Sequence, residues 1–397
     1  MKRLSQAAHH IEGQPMFKLL ARVQEMERHG MEIVHFEIGD PDFSTPPHIV
    51  EAACAALHNS ETHYTSSMGL DDMRAAVRQV TESSRGFAPD LDQVLVTPGA
   101  NIIPYYAVRC LVEAGEDVVI PSPYFPTYLS VLRFCGVNPV FVPLKEENEF
   151  RMNPGDIRAR LTAKTRLIII NSPHNPTGSV MTRPELEEVY DIAEANDIYL
   201  LSDEVYSRMI YKPAGTFYSP AMRDQCKRRT IITNGFSKAF AMTGWRLGCV
   251  IGPANVIEKM GLLLQTTSSC VPPFIQRAGL AAMLGPQDHV RDMIKEYRAR
   301  RDLLVQMLNT LPGVTCLKPE GAFYVFPNIK GTGMDDETFA EVMLAEAGVA
   351  LLPGSNFGDN GRGYVRMCYA NSSANIIKGV ERMARCLQKK RAYAQSR

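Results

Sequence analysis

Five short stretches of this sequence carry residues that can do chemistry, and each follows a run of apolar residues. Pro98-Gly99-Ala100-Asn101 opens a helical pattern, Ser122-Pro123-Tyr124-Phe125 brings two aromatic rings, and Asn175-Pro176-Thr177-Gly178 brings an amide. Ser202-Asp203-Glu204-Val205-Tyr206 brings a carboxylate with a phenol, and Gly235-Phe236-Ser237-Lys238 brings an amine, with Arg246 close behind. Backbone N–H groups at a helix start bind phosphate, and arginine grips it with two parallel hydrogen bonds. A buried carboxylate keeps a ring nitrogen protonated, a flat side chain covers a ring face, and a desolvated lysine attacks carbonyl carbon. If the five stretches converge, they meet the needs of pyridoxal phosphate. Gly99, Ala100, Asn101, Ser237 and Arg246 would hold its phosphate, Asp203 its ring nitrogen, and Asn175 and Tyr206 its 3-oxygen. Phe125, or the adjacent Tyr124, would cover the ring, and Lys238 would carry the cofactor as an imine.

Each residue also has a plain structural reading. Lys238 in isolation would be a surface lysine, Asp203 a helix N-cap and Asn175 a turn initiator. What favours chemistry is their joint placement after apolar runs.

Those runs must be the positioning elements. Residues 93–97, 117–121, 138–143, 166–171, 198–203, 230–234 and 247–252 are rich in Val and Ile. They lack in/out alternation, as do strands buried on both faces. Helical patterns such as 183–196 lie between most of them. The expectation is an α/β fold with a mostly parallel seven-stranded sheet, whose ligands bind beyond the carboxyl ends of the strands. The connection between the last two runs is short, so one of them is expected to run antiparallel. Past residue 285 the texture changes. An amphipathic segment at 288–311, a helix at 334–347 and strands at 321–327, 349–353 and 364–368 read as a smaller α+β domain. The expected division is an N-terminal segment, 1–46, packed with the small domain; a large cofactor-binding domain, 47–285; and a small C-terminal domain, 286–397.

Bulk properties exclude several classes of function. Lys+Arg and Asp+Glu both number 43, so nothing in the net charge points to nucleic acid or an anionic membrane. The 9 cysteines are scattered singly, with no C-x-x-C pair and no Cys/His cluster suited to zinc. Reduced thiols and no metal are expected. No apolar h-region follows Met1-Lys2-Arg3, and no run approaches the ~18 apolar residues of a membrane span. A cytoplasmic protein acting on small molecules is expected.

The order and spacing of these motifs resemble the class I/II aminotransferases, fold type I of the pyridoxal-phosphate enzymes, related to aspartate aminotransferase. The likeness runs from Gly39-Asp40-Pro41-Asp42-Phe43 through Tyr64 and Gly69 to the asparagine and aspartate motifs above. It continues through Ser237-Lys238-Ala239-Phe240-Ala241-Met242-Thr243-Gly244-Trp245-Arg246-Leu247-Gly248 and Gly321-Ala322-Phe323-Tyr324 to Pro353-Gly354-Ser355 and Arg366. The resemblance implies ping-pong transfer of an amino group from an L-amino acid to a 2-oxo acid through Lys238. It also implies a homodimer in which Tyr64 reaches the partner's cofactor phosphate. Arg366 would clamp the substrate α-carboxylate, helped by the Asn175 side chain and the Gly39 backbone, while the segment around Pro15-Met16-Phe17 closes over the site.

Two positions depart from the family. Gly235 stands where some relatives carry a hydroxyl residue that binds phosphate. Asn101 stands where aspartate/prephenate-type relatives carry a lysine for the distal carboxylate. The amino donor stays open, with Asn101, Met16, Phe17, Tyr64 and residues 265–273 as candidates for the lining, and glutamate with 2-oxoglutarate as the family's default pair. The same fold supports C–S β-lyases and other α/β-eliminations. More remotely it supports non-catalytic regulators, for which no DNA-binding segment is visible here.

Overall fold

The structure is a computed structural model that describes residues 2–9, 11, 13–211 and 217–395. Its centre is a seven-stranded sheet. The strands form where β-branched residues follow one another: Ile168, Ile169 and Ile170 are all fully buried although they face opposite sides in turn. The spatial order is Val94–Thr97, Gly248–Ile251, Thr230–Gly235, Tyr199–Asp203, Thr165–Asn171, Asp117–Ser122 and Asn138–Pro143. Gly248–Ile251 pairs antiparallel with both neighbours, and the remaining pairs are parallel.

The exception has a local cause. Residues 236–247 form turns rather than a crossover helix, so the chain re-enters the sheet in the opposite direction. Lys238 and Arg246 thereby share one connection at the carboxyl end of Thr230–Gly235. Asn175, Asp203 and Lys238 follow or end three adjacent strands, which lie ~5 Å apart in a sheet. Helices cover both faces. Arg183–Ala195 begins at a reciprocal cap, in which Glu185 N donates to Thr182 Oγ1 and Thr182 N donates to Glu185 Oε2.

A second apolar cluster joins Val34 and Phe36 to Tyr297, Phe323, Tyr324, Phe339, Val349, Val365 and Met383. Helices Asp288–Leu308, Asp336–Ala347 and Ser373–Gln395 accompany it. Its antiparallel sheet has the order Leu352–Pro353, Val365–Cys368, Tyr324–Val325, and Val34–His35 pairs in parallel with Val349–Ala350. The run read as one strand over 349–353 is thus divided between two sheets. Met16 packs elsewhere, with Val142, Ile168 and Phe357, so the N-terminal segment serves two cores. Tyr206, Met209 and Tyr211, just past Asp203, also join the second cluster. Among the described residues no helix is long and apolar enough to cross a membrane.

Candidate active site

A cavity of about 550 Å³ opens at the carboxyl ends of the central strands. Ala100, Asn101, Phe125, Asn175, Asp203, Tyr206, Ser237, Lys238, Arg246, Gly39 and Arg366 all line it. Gly99 lies just behind the lining. Tyr64 is 88% exposed and outside the cavity.

Lys238 sits on the turn after Thr230–Gly235, and its Nζ donates to the Gly39 carbonyl oxygen at 2.5 Å. It also lies 5.4 Å from the centre of the Phe323 ring. Burial, with Arg366 and Arg246 nearby, holds its pKa down at about 8. A substantial neutral fraction near that pH makes the amine a usable nucleophile and base.

Asp203 ends its strand as a buried carboxylate. Tyr128 Oη donates to its Oδ2 at 2.5 Å and Val205 N to its Oδ1 at 3.3 Å. No cation among the described residues pairs with it. Burial pushes its pKa up to about 6, and the Tyr128 hydrogen bond opposes that rise. Asn171 fixes the local backbone: its Nδ2 donates to Asp203 O at 3.2 Å and its Oδ1 accepts from Asn175 N at 2.8 Å.

Arg366 is the converse case. Its side chain is fully buried between the rings of Tyr324 and Phe357, 4.5 and 5.0 Å from their centres. One Nη donates to Asn175 Oδ1 at 3.2 Å and the other to the Glu37 carbonyl at 2.5 Å, while Nε has no partner. No carboxylate among the described residues faces this guanidinium. A buried unpaired charge is costly, so the fully buried Arg366 and the buried Asp203 both suit counter-ions brought by a ligand.

Another part of the cavity suits phosphate. Ala100–Ile102 is a tight turn leading into helix Ile103–Leu111, so its N–H groups stand at a helix start. Gly99 has φ 84°, and a Cβ there would lie 2.3 Å from Arg246 Nη2. A Cβ at Gly248 would lie 2.6 Å from Ala100 N. Glycine at both positions lets the arginine and the turn close on one small volume. Gly235 has a similar reason: its Cβ would approach Ala100 Cβ to 3.1 Å.

Phe125 lines the cavity, whereas Tyr124 is turned away and stacks on Phe141. Tyr206 and Tyr324 share a hydrogen bond of 2.9 Å, and burial pushes the Tyr206 phenol well above its ordinary pKa. A Cβ at Gly39 would fall 2.0 Å from the Tyr324 hydroxyl, so the extended segment at 37–40 can pass this closely because it has a glycine there. Met16, Phe17 and Ile38 form an apolar wall, and residues 265–273 are not part of the lining in this chain. Sequence reasoning missed Tyr128, Asn171, Tyr324 and Gln14. Gln14 joins the site through a hydrogen-bond chain, donating to Thr127 Oγ1, which donates to Asn101 Oδ1, both at 2.9 Å. Tyr128 lies one helical turn past Phe125, a spacing that could have signalled it.

These features fit pyridoxal phosphate. The unpaired Asp203 suits its ring nitrogen, the glycine-lined turn with Arg246 its phosphate, and Lys238 its aldehyde carbon. The unpaired Arg366 is then left for a substrate carboxylate.

The chain is also similar to known proteins along nearly its whole length. The family described as aminotransferase class I and II matches residues 31–383. An aspartate aminotransferase of Pyrococcus horikoshii is 40% identical over 94% of both chains. An aromatic-amino-acid aminotransferase of Thermococcus litoralis is 41% identical over 90% of this chain and 92% of its own. The structure of a Thermus thermophilus aspartate aminotransferase with maleate superposes with a TM-score of 0.93 at 34% identity, covering 97% of this chain and 100% of that one. This chain belongs to the class I and II aminotransferases, enzymes that transfer amino groups with pyridoxal phosphate.

Proposed function

We propose that the enzyme moves an amino group from an L-amino acid to a 2-oxo acid in two half-reactions at this one cavity, working as a cytoplasmic homodimer. The observation that carries the reading is the unpaired Arg366 and the unpaired Asp203 in the same cavity. When bound, the cofactor supplies an electron sink that stabilises negative charge at the substrate Cα.

The chain's own residues do the rest. Arg366, with Asn175 and the Gly39 backbone, orients the α-carboxylate. Asp203 holds the ring nitrogen protonated, Phe125 covers the ring, and Asn175 and Tyr206 reach its 3-oxygen. The amides at Gly99, Ala100 and Asn101, with Ser237 and Arg246, hold the phosphate, and Tyr64 joins them from the partner subunit. Lys238 carries the proton between the substrate Cα and the cofactor C4′ carbon, as base and then acid. Residues 47–285 form the cofactor domain, 286–397 the small domain, and 1–46 contributes to closure.

The cations lining the cavity among the described residues are Lys238, Arg246 and Arg366, each with a role already. With Met16, Phe17 and Ile38 also in the lining, uncharged amino donors, aromatic ones included, fit best. Absorption spectra of the purified protein with single amino acids, no oxo acid present, test this. The visible band is expected to shift to shorter wavelength with aromatic donors and to return when an oxo acid is added. A band that persists while pyruvate and ammonia accumulate would establish elimination instead.

A further inference from the structure

Tyr128 is the one side-chain donor to the Asp203 carboxylate among the described residues, and it has no task in the proposed reaction. It stands on helix Pro126–Phe134, whose first residues follow Phe125. Its ring is fully buried and meets Phe125 edge-to-face, centroids 5.7 Å apart at 83°. Its hydroxyl donates to Asp203 Oδ2 at 2.5 Å. One helical turn therefore carries both the ring that borders the cavity and the hydroxyl that grips its carboxylate.

We propose that Tyr128 is a positioning residue that keeps Asp203 ionised and aimed so that the cofactor's ring nitrogen, not the carboxylate, holds the shared proton. The inference rests on the proposed use of Asp203 toward that nitrogen. Two effects compete at this carboxyl group. Desolvation favours a neutral carboxyl group at this depth. A donor to the charged form favours the carboxylate. Val205 N supplies one at 3.3 Å, beyond the usual N–H···O range, so the short Tyr128 bond is the stronger. The burial that raises the phenol's own pKa also keeps its proton in place as a donor. Without the hydroxyl, Asp203 would take a proton at higher pH and a bound ring nitrogen would lose its ionised partner.

The test compares wild type with Tyr128→Phe, which retains the ring and its contact with Phe125. Cofactor-free protein is titrated, across pH 5–8, with pyridoxal phosphate and with its analogue bearing C–H in place of the ring nitrogen. The ratio of the two affinities isolates the ring-nitrogen contribution. In wild type this ratio should fall as pH drops through about 6, the region where Asp203 protonates. In Tyr128→Phe the midpoint should move up by about one pH unit, so that near pH 6.5 the preference drops several-fold, one unit being tenfold in a proton equilibrium. The ¹⁵N chemical shift of ring-labelled cofactor should move toward its unprotonated value in the same variant. Placing 3-fluorotyrosine at position 128 alone preserves the shape and strengthens the donor, and should move the midpoint the other way. This second substitution decides the matter if Tyr128→Phe does not fold.

Coincident midpoints and unchanged ¹⁵N shifts in folded variants would reduce Tyr128 to packing and overturn the inference, leaving the proposed function intact. A wild type with no preference for the ring nitrogen at any pH would overturn the role of Asp203 and this inference together. A wild type that binds no cofactor would overturn the proposed function itself.

Discussion

The Lys238 amine hangs from the carbonyl oxygen of Gly39, 2.5 Å away. Two residues earlier, the carbonyl of Glu37 accepts from Arg366. The proposed proton carrier and the proposed carboxylate clamp are thus spaced by one extended segment. Lys238→Ala should lower turnover by at least roughly 10²–10⁴-fold, the usual worth of a positioned acid–base group. Steady-state rates with a donor and an oxo acid check this, and undiminished multiple turnover would refute the role.

Arg366→Lys keeps the charge but loses the planar fork that meets a carboxylate with two bonds. We expect kcat/KM to fall by about 10²-fold, mostly through a higher KM, because the clamp acts on bound substrate throughout the reaction. An unchanged KM with a reduced kcat would show that Arg366 does something other than hold substrate.

Behind Asp203, the next residue is anchored in the opposite direction. Glu204 Oε2 accepts two hydrogen bonds from Arg85, at 2.9 and 2.6 Å, and both side chains are almost completely buried. Ser202 and Ser219 satisfy its other oxygen. Arg85→Met leaves a buried carboxylate without its cation and should destabilise the fold by about 3–5 kcal/mol. Denaturant unfolding measures it. Converting Glu204 to Gln in the same chain should recover part of the loss, since the uncompensated charge is then gone.

His35 predicts a pH dependence of stability. Its Nδ1 lies 2.7 Å from Glu37 Oε1 and its Nε2 3.0 Å from Glu27 Oε1. The Glu37 hydrogen bond first, and then Glu27, raise its pKa to about 9 against the opposing effect of burial. The folded state therefore binds this proton more tightly than the unfolded chain, whose histidine titrates near ~6.5. The stabilisation is complete below that pH, declines above it, and is lost as pH rises through about 9. Melting temperatures of wild type and His35→Gln should differ at pH 6 and converge above pH 9. A constant gap would mean that charge plays no part.

The central sheet was legible because buried strands announce themselves as apolar runs, and the short link 236–247 announced its antiparallel return. Asn175, Asp203 and Lys238 were legible as a group because adjacent parallel strands bring their ends together. Other features depend on geometry that residue types do not encode. The acceptors of Lys238 and Arg366 are backbone carbonyls, which every residue has. Tyr128 matters because its helix faces a strand distant in sequence, and Gln14 because a chain of three side chains happens to meet. The split of 349–353 between two sheets was hidden because each piece alone looks like a strand.

The bonds of Arg366 to Asn175 and to the Glu37 carbonyl span 191 and 329 residues. Contacts this distant form late, since each requires a very large loop to close. A growing polypeptide that has passed residue 246 already owns the lysine, the carboxylate and the phosphate turn, yet has no grip on a substrate. Synthesis must run a further hundred residues and more before that grip exists. During translation, competence to hold the cofactor should therefore precede competence to use it.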